Sequence, residues 1–260
     1  MSLDEYRRLP ARRAERRVIF VMDRAAIEWM EADPSGREVM LREDAAVLYS
    51  GIDVDEADPV TQRLERQGLL VPGLVLVASP YRDGDYAPLE AANNRFSLEK
   101  WASVSTLCVY LGARTLSVQV VEDTKTQSKW TASAGGGVKG VEATATATGR
   151  SVDAFAGQMH WDDSYVGGVG NLELARDYLL TSGLEADPEI RSLVDARAHP
   201  GNLLARRTLV VDLSRESERA LDTVLSINPP AILSFSAQFE RARESKANYR
   251  LTLEIVFPDA

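Results

Sequence analysis

The stretch SLEKWASVSTLCVYLGARTLSVQVVED, residues 97–123, changes its hydrophobic period partway along, and that change decides the fold class. In its first half Leu98, Trp101, Val104, Leu107, Cys108 and Leu111 recur at spacings of three and four, one face of a helix. Ser97 is placed to cap that helix and Gly112 to stop it. From Thr115 the period becomes two: Leu116, Val118 and Val120 alternate with Ser117 and Gln119, the pattern of a half-buried strand. A helix with one apolar stripe followed by such a strand is expected to cover one face of an antiparallel sheet, which makes the chain α+β.

Toward the C-terminus, Thr124 to Arg150 is rich in Thr, Ser, Ala and Gly. Thr favours strands over helix interiors, so the segment reads as a second strand reached through the run Gly135-Gly136-Gly137, with Val152–Trp161 continuing it. Asn171–Leu180 and Pro188–Ala198 read as helices, the second capped by Asp187 with Pro188 in the first helical position. Leu209, Val211 and Leu213 alternate again, and Ser214–Ser226 fits strand or helix. Ile232–Glu240 and Tyr249–Phe257 read as a closing β-hairpin joined through the charged Arg241–Asn248. The expectation for residues 86–260 is an antiparallel sheet of about five or six strands with long hairpins and flanking helices.

Toward the N-terminus, residues 1–85 read as mainly helical and separate from the rest at the polar connector Arg82-Asp83-Gly84-Asp85. Val18–Met22 is a short strand candidate, and Asp23 caps a helix over Arg24–Glu31 with Ala26, Ile27 and Met30 on one face. Glu38–Tyr49 is a second helix candidate. Asp58 with Pro59 starts a third, which stops at Gly68. That last helix followed by Leu69–Val71 is winged-helix-like, yet Asp53, Asp55, Glu56 and Asp58 in front of it would repel nucleic acid. A protein-docking region is the reading.

The 260 residues hold 39 acidic and 30 basic side chains, a net charge of −9, with 45% hydrophobic residues. This is the composition of a globular chain and a poor polyanion binder. One Cys and two His exclude a disulfide framework and a Cys-rich zinc site. The basic N-terminus is followed by too short an apolar run for a signal peptide, and no uncharged stretch reaches the length of a spanning helix. A cytoplasmic location is expected.

Few residues offer chemistry. On a strand, His160 and Asp162 share a face and could supply a metal ligand pair or an oriented base. Gly135 to Gly140 lacks the Ser or Thr and the following helix of a phosphate loop. Gly167-Gly168-Val169-Gly170 precedes a helix without dinucleotide spacing, and Cys108 sits on the apolar stripe. No cofactor and no metal site are expected. The Thr/Ala hairpin stands out: Trp130, Gly135, Gly136, Gly137, Val138, Val141, Ala143, Ala145 and Ala147 are its candidate assembly or membrane residues.

In layout alone, two hairpins separated by helices, the chain resembles the gasdermin and perforin-like pore formers, with no residue motif of theirs matched. The leading expectation is a non-enzymatic protein that self-associates through its hairpins and contacts a protein partner. The alternatives are a pore former that inserts those hairpins, in which case a membrane is the partner, and an enzyme using His160 and Asp162.

Overall fold

A computed structural model describes residues 3–53, 57–125, 127–131, 139–142, 149–159, 162–199, 204–228 and 232–258. The fold is α+β, with helices and mostly antiparallel sheets. The chain divides into two compact units, Met1–Arg95 with Glu216–Lys246, and Phe96–Arg215 with Ala247–Ala260. Among the described residues no helix is long and apolar enough to cross a membrane.

The first unit is organised around Val18–Met22 (β1), five apolar residues that are all buried, as in a strand covered on both faces. It pairs in parallel with Ala45–Tyr49 (β2) and antiparallel with Val75–Ala78 (β3), and Tyr86–Pro88 (β4) extends the sheet beyond β3. Parallel neighbours need a crossover, here the helices Arg24–Ala32 (α1) and Pro34–Met40 (α2). Alternate β1 side chains serve opposite faces. Ile19 and Val21 join a cluster with Leu48, Leu76 and Tyr86, and with Leu64 of Pro59–Arg66 (α3). Phe20 meets Phe235 of the later helix Leu233–Ser245 (α9) edge-on, centroids 5.4 Å apart.

Two caps match the sequence expectation. The Asp23 carboxylate accepts from the Ala26 amide at 2.8 Å. Asp58 accepts from the Val60 and Thr61 amides and from the Thr61 hydroxyl at 2.6 Å. Burial alone would raise the Asp58 pKa, but these donors outweigh it and hold the carboxyl below its ordinary value.

The second unit is built on Thr115–Asp123 (β5), which pairs antiparallel with Tyr249–Val256 (β10), itself paired with Arg206–Asp212 (β9). On its other side β5 carries Ser128–Thr131 (β6) along its C-terminal half and Asp162–Ser164 (β8) along its N-terminal end, and Lys139–Glu142 (β7) follows β6. The order is β7-β6-β5-β10-β9 with β8 beside β5. The 19-residue helix Ala92–Tyr110 (α4) lays Trp101, Val104 and Leu107 into one core with Leu116, Val118, Leu209, Leu251 and Leu253, as the stripe predicts. Gly149–Ala156 (α5), Leu172–Thr181 (α6) and Pro188–Ala198 (α7) add to the same core through Phe155, Leu179 and Leu193.

Several segments differ from the sequence reading. Ile232–Glu240 is not a strand: it lies largely in α9, so the closing hairpin does not form and the two-hairpin layout does not hold. Buried Phe235, Gln238, Phe239 and Ala242 recur at three, four and seven, a helical spacing that outweighs the apparent alternation. Of Val152–Trp161, residues 152–156 lie in α5 in place of a strand continuation, with buried Val152, Phe155, Ala156 and Met159 at that same spacing, and residues 160–161 lie outside the described residues. Glu38–Tyr49 divides between α2 and β2, and Ser97 is a buried residue inside α4 rather than its cap. The ambiguous Ser214–Ser226 is a helix, Arg215–Leu225 (α8).

Alternation in β5 also breaks. The register with β10 shifts between Thr252 and Leu253, passing over Gln119, so the buried set runs Leu116, Val118, Val121, Asp123. A bulge adds one residue and exchanges the faces beyond it, which turns Val121 inward where the sequence suggested Val120.

Candidate functional site

One edge of the six-stranded sheet carries β6 and β7, the described strands of the hairpin singled out in the sequence. In β9, Leu209 and Val211 are buried while Arg206, Thr208 and Val210 are exposed, Val210 by 48%. The strand bonds to β10 along one side, and among the described residues no strand pairs with its other side. The opposite edge is β7. Unpaired strand edges present rows of backbone donors and acceptors that can template pairing with another chain.

Of the candidate hairpin residues, Trp130 lies in β6 opposite Val121, and Val141 lies in β7. Gly135, Gly136, Gly137, Val138, Ala143, Ala145 and Ala147 lie outside the described residues. Lys139 and Gly140 are strand residues paired with β6, so no helix follows the glycine run as a phosphate loop requires. At the root of the hairpin, buried Asp123 accepts from the Lys125 and Asn248 amides at 3.0 and 3.1 Å. Those bonds fix where β5 ends.

His160 lies outside the described residues. Asp162 is exposed at the start of β8, opposite Ser117, and its neighbour Asp163 accepts from the Tyr165 hydroxyl at 2.9 Å and from Ser105 at 3.2 Å. No group of three His, Cys, Asp or Glu that could hold a metal occurs among the described residues. Cys108 is fully buried, and burial pushes its thiol up to about 12, far from the thiolate a nucleophile needs.

The glycines of 167–170 have a packing role. A Cβ at Gly112 would lie 2.3 Å from the Gly168 carbonyl oxygen, and one at Gly170 2.6 Å from Leu111. Both glycines have positive φ, so the loop crosses the end of α4 backbone to backbone, as only glycine permits. Asn171 caps α6 by accepting from the Leu174 amide at 3.1 Å.

One buried polar centre was not anticipated. Lys100, fully buried, donates to Asp187 Oδ2 at 2.9 Å and to the Asp212 carbonyl at 2.6 Å. Asp187 also caps α7 through the Glu189 and Ile190 amides. Two residues after Asp212, buried Ser214 accepts from the Tyr249 amide at 2.8 Å and lies 3.4 Å from the Ser97 hydroxyl. These bonds tie α4, α7, β9 and β10 together. The signal was present: Lys100 falls on the stripe, four residues before Val104, but its type reads as surface.

Comparison with family models, curated proteins and solved structures finds no match for the chain.

Proposed function

We propose that this protein acts by contact rather than by catalysis, its copies joining through the edges of the six-stranded sheet. The observation that carries the reading is the pair of unlike edges, β9 on one side and β7 on the other, each without a second strand neighbour among the described residues. Unlike edges that meet head to tail make a heterologous contact, which builds a ring if the rotation closes and a filament if it does not. Exposure adds support: among the described residues, Val210 on the β9 edge is an exposed large apolar side chain. Trp130 on β6 and Val141 on β7 belong to the assembly hairpin in this reading.

Cysteine trapping tests it. A chain with Val210→Cys and Val141→Cys together, oxidised and run without reductant, gives a ladder of covalent multimers, while each single substitution gives at most a dimer. Cys108 is buried and does not interfere. A double variant that stays monomeric, or stops at the dimer, overturns the edge-to-edge arrangement.

A further inference from the structure

The first unit carries a feature independent of the sheet edges, a groove of about 530 Å³ lined by Arg13, Arg17 and Arg219 with a single acid, Glu216. The volume falls within the roughly 300–1,000 Å³ of small-ligand sites. Ala14 and Pro80 supply part of its apolar lining.

The charges are not equivalent. Glu216 accepts from the Tyr81 hydroxyl at 3.0 Å. Arg13 donates to the Ser79 carbonyl and lies 3.9 Å from Asp83. Arg17 and Arg219 are exposed, and among the described residues neither guanidinium has an ion-pair or hydrogen-bond partner. Backbone bonding anchors the base of Arg17, whose carbonyl accepts from the Ala78 amide at 2.9 Å. With Arg13 beside Asp83, Arg17 and Arg219 are the two positive charges of the lining without a paired carboxylate among the described residues, in a chain whose net charge is −9. Local positive charge on an acidic protein does not act as a general polyanion surface. It selects a compact anion held at close range.

We propose that this groove binds a phosphate monoester, with Arg17 and Arg219 on the phosphate and the apolar part of the ligand against Ala14 and Pro80. The guanidinium fork matches phosphate oxygens in paired, charge-assisted hydrogen bonds, and the dianion balances those two positive charges. A soluble phosphorylated compound and a lipid with a monoester headgroup offer the same chemistry.

Titration calorimetry with phenyl phosphate tests the site on the full chain. Wild-type protein binds saturably, Arg17→Ala and Arg219→Ala each weaken binding by about tenfold or more, and the double variant does not bind. Thr223→Glu, which adds a negative charge to the lining, weakens binding too, and unchanged melting temperatures show that all variants fold. Sedimentation with phosphatidic-acid vesicles, against phosphatidylcholine vesicles, separates the sources. Pelleting that the double variant loses assigns the phosphate to a lipid, and calorimetric binding without pelleting assigns it to a soluble compound. Absence of saturable binding to either probe, or equal binding by wild type and double variant, overturns the proposal.

Discussion

Strands β1 and β9 both carry branched apolar residues, but β1 is buried at every position while β9 alternates and leaves Val210 half exposed. β1 has strand neighbours on both sides, and its two faces are filled by Ile19 and Val21 on one and Phe20 against Phe235 on the other. β9 ends its sheet. A strand of the first kind contributes only to stability, because all its bonding capacity is used. A strand of the second kind keeps half its backbone ladder for another chain. The proposed contact between copies uses the second unit's open edge, and the proposed phosphate groove lies in the first.

The largest expected effect lies at the buried pair beneath the open sheet. Lys100→Ala leaves the Asp187 carboxylate buried with no cation, which costs about 3–5 kcal/mol and shows as an early denaturant midpoint. Lys100→Met with Asp187→Asn removes both charges, keeps a capping side chain, and recovers most of the loss. If the single and double variants are equally unstable, the pair does not hold these elements together.

Nearly as large is the loss in the closed sheet. Phe20→Ala removes a fully buried ring and costs about 3–5 kcal/mol. Hydrogen exchange is expected to accelerate across β1, β2 and β3. Fast exchange confined to β5, β9 and β10 in that variant would contradict the assignment of the two cores.

Alkaline pH sharpens the comparison from both sides. Burial raises Tyr86 in the first unit and Tyr249 in the second to about 12. In the unfolded chain each ionises near 10, so between these values the unfolded state binds fewer protons and stability falls as pH rises. Each tyrosine contributes a loss of about 2–3 kcal/mol across that window. Tyr249 stacks on Phe155 with centroids 3.8 Å apart, and Phe keeps that stack. Tyr249→Phe therefore changes stability little at neutral pH and removes its share of the alkaline loss. An unchanged alkaline profile would show that its hydroxyl is not desolvated.

The sequence disclosed most where the signal is local. Asp23, Asp58-Pro59, Asn171 and Asp187-Pro188 announce helix starts because a carboxylate or amide accepting nearby amides needs no distant partner. The α4 stripe and the period-two strands β5 and β10 were legible for a similar reason, and with them the α+β class. Reading failed where two periods competed. Phe235, Gln238, Phe239 and Ala242 carry a helical spacing hidden by the alternation of Leu233 and Phe235, and Val152 to Met159 repeats the same error. The inward turn of Val121 was hidden because a bulge is visible only once β10 is paired. Of the candidate site, Asp162 proved exposed on β8, and the Lys100–Asp187 pair was missed because a lysine on an apolar stripe reads as an interruption. The β9 edge could not be read at all, since strand order depends on pairings far apart in the chain.

If the open edge joins copies of the protein, as proposed, molar mass by light scattering for wild type and for Val210→Lys will show it. Val210 is half exposed, so the substitution changes stability by no more than about 0.5 kcal/mol, while a lysine on an edge strand opposes strand addition. Wild-type mass is expected at a multiple of 28.6 kDa and the variant at 28.6 kDa. A wild-type protein that stays at 28.6 kDa at every concentration, or a variant with the wild-type assembly mass, would contradict it.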